Sequence, residues 1–495
     1  MKKLLYIFII LISLTIQSHA TCDSTAATLV QLNTNIAAAS PDDIVCVTNG
    51  TYDDFSDQNG NPVTVQVSGT NGQNIVIQPE TVGGVTFTGT FYMQIGTDET
   101  ANGSYITVKN FKFHENESYS PSTITAKILR IYGDNVLVTN NKFTDVSTDG
   151  DQGVGSAVKY YDDADDGEVS YNTFDTWYSS EVLHVQKAYN THIHHNYFTS
   201  PYTGTQDSAL YVGTDSDEGR IENQNTIVEY NYFYSVLGDS ETISNKGHSN
   251  IYRYNVFVGT TALTLRAGDD CQVYGNYLLN IQGNQAAFRI FGARHKVFNN
   301  YLEDWTTGYG GVYLGAEDED HDVADDAIIA SNTVISRTSG SAAFIVGDGA
   351  GTSPDGVTFS NNYAEHNSGW CFYDNSGTNT VYTTNFCNDF STGDYDNVSN
   401  SFCTTRVTSS PLTNDGQIYR LTGVGTNGSG AVAGVTVDID GDSRADPPDM
   451  GADEYSASAP TITTASIIAG AGYSEQIEAP PIDYGKTKIL RGTLK

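Results

Sequence analysis

Apolar residues come mostly in short alternating runs, set off by glycine, asparagine and aspartate. Ile44–Val47, Val63–Val67, Ile75–Ile77, Val85–Phe87 and Tyr105–Val108 are examples. Alternation over a few residues, bounded by turn formers, predicts half-buried strands. Residues 24–38 break the pattern, because Leu29, Leu32 and Ile36 fall at helical spacing with Asp23 or Ser24 available as N-cap. A short helix is expected there, covering the open end of a stack of strands.

A repeat takes over beyond residue 140. Asparagine followed two positions later by an apolar residue recurs at Asn141, Asn172, Asn196, Asn231, Asn255, Asn276, Asn300, Asn332 and Asn362, at intervals of 31, 24, 35, 24, 21, 24, 32 and 30. The short intervals give the length of one unit, and the long ones read as the same unit carrying an inserted loop. Such a period, with strand-like runs and no helical return, is the signature of a parallel β-helix. A leucine-rich repeat would need leucines at fixed positions, which are missing. The expectation is therefore an all-β, right-handed parallel β-helix over 21–455. The repeated Asn is expected at turns, where it tolerates left-handed dihedrals and bonds to the next coil. Asp438, Asp440 and Asp442 suggest a calcium loop, but the glycine falls at the fourth place and no closing Glu follows, so an EF-hand is rejected. Residues 456–495 read as a linker and tail.

Charge and cysteines add a compartment. Lys2 and Lys3, the apolar run Leu4–Ile16 and the small-residue stretch Ser18-His-Ala20 read as a secretory signal over 1–20. No later stretch is apolar enough to cross a membrane. A net charge of −35 argues against nucleic acid and anionic membrane as partners. Six cysteines in an exported chain point to disulfides. Cys22 with Cys46 is the first expected pair, and Cys371, Cys387 and Cys403 offer a second. Cys271 reads as a buried thiol.

Against this acidic background, the stretch Lys246–Lys296 holds six basic residues (Lys246, Arg253, Arg266, Arg289, Arg294, Lys296) and only two acids, Asp269 and Asp270. A focused positive strip on a polyanionic protein suits an anionic ligand. Counted back from the repeat, Lys246 lies 9 residues before Asn255, Arg266 lies 10 before Asn276 and Arg289 lies 11 before Asn300. Near-equal phase on coils about 4.8 Å apart would line these cations along one groove. Lys187 shares the phase, and Arg253, between tyrosines, reads as structural. Asp239 and Glu241, two apart on a strand, would share a face. Carboxylates flanking a cationic row suit β-elimination on a uronic acid, in which a neutralised carboxylate makes the C5 proton acidic enough for a base.

The opening pattern Asp43-Ile44 and Asn49-Gly-Thr-Tyr52 resembles polysaccharide lyase family 6, which includes alginate lyases and chondroitinase B. So do the block Glu241-x-Ile-Ser-Asn-Lys246 with Asn250-x-Tyr-Arg-Tyr-Asn255, the block Leu263-Thr-Leu-Arg266-x-Gly268, and the closing Asp449-Met-Gly-Ala-Asp-Glu454. The resemblance implies Lys246 as Brønsted base and Arg266 as Brønsted acid. It places Arg289 and His295 among substrate contacts, to which Arg294 and Lys187 are added, and makes Asp239 and Glu241 calcium ligands. Two departures stand out. Position 239 is Asp where many members carry Glu, and the Asn-x-x-Glu that supplies further ligands is replaced by Thr205-Gln-Asp-Ser208. Either Asp207 substitutes, or the enzyme is a metal-independent one. The expected activity is cleavage of alginate by a secreted or periplasmic monomer. A chondroitin or dermatan sulfate lyase, a uronan epimerase and a non-catalytic glycan-binding β-helix are the alternatives. Gly268-Asp-Asp-Cys271 resembles the acid pair of polygalacturonases, but their Asn-Thr-Asp and Gly-His-Gly are absent.

Overall fold

A computed structural model describes residues 21–454, apart from 54–62, 90, 98–101, 115–126, 147–155, 163, 178–180, 201–207, 215–222, 239–240, 284–285, 307, 316–320, 338–340, 348–350, 368, 390–401, 408–409, 411, 415–417, 422–427, 429, 431 and 433. Two short paired strands at 468–469 and 477–478 are also described. The signal segment 1–20, Asp207, Asp239 and nearly all of the tail lie outside the described residues.

The alternating runs wind into a right-handed parallel β-helix. Each coil passes through three sheets in turn, called sheets 1, 2 and 3 here. Among the described residues these hold 14, 14 and 12 strands, every neighbouring pair parallel and one coil apart. Inward apolar side chains stack coil upon coil. Phe113, Phe143, Phe174, Phe198, Phe233 and Phe257 of sheet 2 stack with ring centroids 4.6 to 5.0 Å apart, the strand spacing itself.

The recurrent asparagines form a buried ladder at the corner between sheets 1 and 2. Asn255 donates through Nδ2 to the carbonyls of Val228 (2.8 Å) and Arg253 (3.0 Å) and to Asn276 Oδ1 (3.0 Å). Its own Oδ1 accepts from the backbone N–H and Nδ2 of Asn231, both at 3.0 Å. The pattern runs from Asn141 to Asn385, a tenth member that the sequence reading overlooked. The expected left-handed conformation belongs to the residue before each Asn, with φ of 51–55° at positions such as Tyr171, Tyr230, Tyr254 and Thr384. The amide must point inward along the stack, so its predecessor makes the turn. At Gly275, which also has positive φ, a Cβ would lie 2.6 Å from the Tyr254 ring, so glycine is required there. Asn255→Ala strands buried donors and acceptors on two coils and should lower unfolding free energy by about 2–4 kcal/mol in a urea titration. A loss within the roughly 0.5 kcal/mol typical of surface changes would deny the ladder that role.

At the N-terminus the helix spans Leu29–Ala38, shorter than expected, with Thr28 as N-cap and Leu29, Leu32 and Ile36 buried. Ser24–Ala26 instead forms a strand of sheet 1 against Val45–Val47, beside the Cys22–Cys46 disulfide. The second disulfide joins Cys387 and Cys403, and Cys271 and Cys371 are buried free thiols. Late residues fold back over sheet 2. Ile418, Ile439, Met450 and Ala452 pack on its outward Tyr232, Tyr277, Tyr301 and Tyr363. Arg444, its side chain 3% exposed, fastens this strap by donating to Asn299 Oδ1 (2.7 Å) and to the carbonyls of Gly451 and Ala452. Asp438 holds the strap's own turn, accepting from the N–H groups of Asp440, Asp442 and Glu454. With the later coils of sheet 2 covered, sheet 3 is the flank that carries Lys246 and Arg289, with Arg266 directly after one of its strands.

Candidate active site

In sheet 3 each strand sets an outward residue between two inward ones, as in Val158-Lys159-Tyr160, Leu210-Tyr211-Val212 and Phe288-Arg289-Ile290. Coil-to-coil register places Arg130, Lys159, His184, Tyr211, Ser244, Thr264 and Arg289 in one outward column. Two residues further along, Gly213 pairs with Lys246, and Arg266 follows Leu265, the partner of Asn245. Lys246 and Arg266 therefore stand side by side on adjacent coils. Arg289 does not share their phase. It aligns with Thr264, two residues earlier on the same face.

The positive strip read from the sequence divides in space. Arg253 and Lys296 lie on strands of sheet 1, where Arg253 pairs with Glu229 at 2.5 Å and donates to Tyr274 at 2.9 Å. Arg294 sits at the corner after sheet 3 and grips Asp269 (2.9 Å) and Asp270 (2.7 Å) of the preceding coil. His295 is fully buried. Its Nδ1 accepts from the Cys271 N–H (3.1 Å) and its Nε2 donates to the Phe291 carbonyl (2.8 Å). Burial pushes its pKa down to about 4, so it stays neutral and holds the turn instead of reaching a ligand. Lys187 pairs with Asp162 at 3.4 Å.

What remains together is a recess. Lys246 is 5% exposed, and its Nζ contacts the hydroxyl of Tyr211 and lies 4.1 Å from that ring's centre. Glu241, 1% exposed, accepts from Arg289 Nη1 at 2.8 Å and faces Arg266 Nη1 at 3.7 Å. His184 packs edge-on to Tyr211, with Nδ1 3.2 Å from Glu181 and Nε2 3.2 Å from the Gly213 carbonyl. Burial, with Lys159 nearby, lowers its pKa. Asn245, inward beside Lys246, fixes the next turn through Gly247 and Ala267 carbonyls while its Oδ1 accepts from Asn250 and Tyr252. That hub ties Asn245, Asn250 and Tyr252 together in the block at the end of the Lys246 strand.

Tyr211, His184, Lys159 and Glu181 were not singled out from the sequence. Of the expected calcium ligands, only Glu241 is among the described residues. The ion takes about six to eight oxygens, whereas Glu241 is engaged by two guanidiniums, and no group of three candidate ligands lies together among the described residues. Ser208, whose strand pairs with that of Glu241, offers only a hydroxyl. Asp207 and Asp239 lie outside the description.

A parallel β-helix with cations recessed along one outward sheet is the class that fold and site define. A family model described as Chondroitinase B matches residues 26–353, and the chain belongs to that family, within polysaccharide lyase family 6. Similar solved structures include the PL6 family alginate lyase AlyGC (20% identity, TM-score 0.66, covering 81% of this chain and 55% of that one). Another is the PL6 family polysaccharide lyase Pedsa3628 from Pseudopedobacter saltans (15%, TM-score 0.58, 78% and 91%). A third is a mannuronic acid specific family 6 lyase from human gut microbiota (18%, TM-score 0.57, 74% and 86%). At these identities they speak to the fold. The chain spans 55% of the length of AlyGC. Comparison with curated proteins returns no match.

Proposed function

We propose that this chain is a secreted lyase that cleaves alginate by β-elimination, with Lys246 as base and Arg266 at the leaving oxygen. The observation that carries the reading is Lys246 beside Arg266 on neighbouring coils, next to the buried Arg289–Glu241 pair. The amine of Lys246, in its neutral form, takes the proton from C5 of a uronate. The C5–H electrons form the C4=C5 double bond, the C4–O bond breaks, and the departing oxygen leaves with a proton. Enclosure next to a guanidinium is the setting that favours a neutral amine. With Lys246 neutral, two guanidiniums and Glu241 sum to a single positive charge, which balances one uronate carboxylate as negative charge builds on it. Arginine is a poor proton donor, so Arg266 acts chiefly by stabilising the leaving alkoxide, and Tyr211, on Lys246, is the hydroxyl positioned to relay a proton.

Incubation with alginate tests the reading. Ultraviolet absorbance from a C4=C5 bond must appear. Reducing ends without it would indicate a hydrolase, a changed uronate ratio without cleavage an epimerase, and no change a binding protein. Chondroitin or dermatan sulfate is the second substrate to try in the same assay. Because guanidiniums occupy Glu241, activity should survive exhaustive chelation undiminished. A loss that calcium restores would return the role to Asp239, Glu241 and Asp207.

A further inference from the structure

The outward column of sheet 3 does not stop at Arg289. Register carries it through Tyr313, Ile345 and Tyr373, one residue per coil. Its chemistry changes abruptly there. The described strands Val312–Leu314, Phe344–Val346 and Phe372–Asp374 contain no lysine or arginine, and Asp374 is turned to Tyr382 (2.9 Å) and the Gly377 N–H (2.8 Å). At the corner entering this sheet, two aromatic residues flank the column. Tyr309 meets Tyr313 edge-on at 5.8 Å, and Trp370 stacks on Tyr373 at 4.9 Å. Both are open to solvent, at 47% and 39%, although large rings are normally withdrawn from it. The other tryptophans, Trp177 and Trp305, are 0% and 1% exposed.

We infer that Tyr309, Trp370 and Tyr373, set around the buried Tyr313, form a distal subsite that stacks on pyranose rings of the same polyuronate chain, several sugars from the bond cut at Lys246. The inference deepens the proposed function and rests on it. Its basis is continuity. Tyr373 lies five coils beyond the coil of Lys246, about 24 Å along the solenoid axis, in the column that passes through Ser244, two residues before Lys246, and a 4-linked pyranose advances along its polymer by a length comparable to one coil. Indole and phenol faces accept the C–H face of a sugar, while their N–H and O–H edges stay available to its hydroxyls. A polymer laid on the cations therefore continues over an uncharged aromatic floor.

Trp370, the exposed tryptophan of three, gives a direct readout. Unsaturated oligouronates of six or more sugars should shift its emission and shield it from acrylamide, and trimers should not. Trp370→Ala should remove that signal and raise KM for long chains roughly tenfold, the scale of one well-placed aromatic contact, while trimer cleavage and kcat stay unchanged. Trp370→Phe should restore most of the affinity. Wild-type cleavage of alginate with no emission change and an unaltered KM in Trp370→Ala would overturn the subsite and leave the proposed function standing. Neither cleavage nor an emission change would overturn both. Emission that responds to protein concentration and not to oligouronate would make the patch a contact between copies of this chain, and would overturn the subsite as well.

Discussion

Lys246→Ala should lower kcat on alginate by about 10³-fold or more, the scale lost with a positioned base, with KM and the unfolding midpoint close to wild type. The amine has one face against Tyr211 and stands on the outward side of sheet 3, with Asn245 inward beside it, so its removal deletes the proton acceptor without opening the apolar interior. Lys246→Arg keeps a long basic side chain but stays protonated and cannot accept a proton at neutral pH; it should be as inactive as the alanine variant. If the arginine variant retained even a tenth of the wild-type rate, the proton would have to go elsewhere, and Tyr211, in contact with the same atom, would be the place to look.

Arg289→Ala should cost both rate and stability. Glu241 is almost fully enclosed, and Arg289 is its 2.8 Å partner. Removing one member of a buried pair strands the other charge, at about 3–5 kcal/mol. Arg266, now 3.7 Å from the same oxygen, would be drawn off the leaving-group position to compensate. Adding Glu241→Gln removes the stranded charge, so the double variant should recover much of the stability lost in urea while kcat stays low. Recovery of both together would mean that Arg289 serves the fold alone.

Much of this architecture was legible because a solenoid writes its period into the chain. An interior amide that must bond to the coil above recurs once per turn, and Asn141 to Asn362 display it openly. The tenth member, Asn385, has Cys387 where its predecessors carry a more familiar apolar residue, and was passed over. The phase of Lys246 and Arg266 could be counted because their coils are short. Tyr211 and His184 could not be reached in that way. They stand 20 and 12 residues before their ladder asparagines, Asn231 and Asn196, so the offset that places Lys246 nine before Asn255 fails. Arg289 was assigned the right face and the wrong column because its offset of 11, against 9 for Lys246, is two residues, one full step along the strand on the same face. His295 and Arg294 lie close to the cations in sequence, but a corner separates them from sheet 3, and a linear charge count cannot see corners. The start of the helix was misjudged because Ser24–Ala26 is claimed by a strand partner 21 residues away.

The strap over sheet 2 bears on how a long substrate arrives. A fibre drifting up to this molecule finds the later coils of one flank already occupied by the protein's own late residues. Most of what is left bears a surplus of carboxylates, from a chain whose net charge is −35. Like charge turns a polyanion away from those approaches most strongly in dilute salt, where repulsion reaches furthest. On the proposed function, landing is thus favoured along sheet 3, whose column of outward residues runs parallel to the solenoid axis.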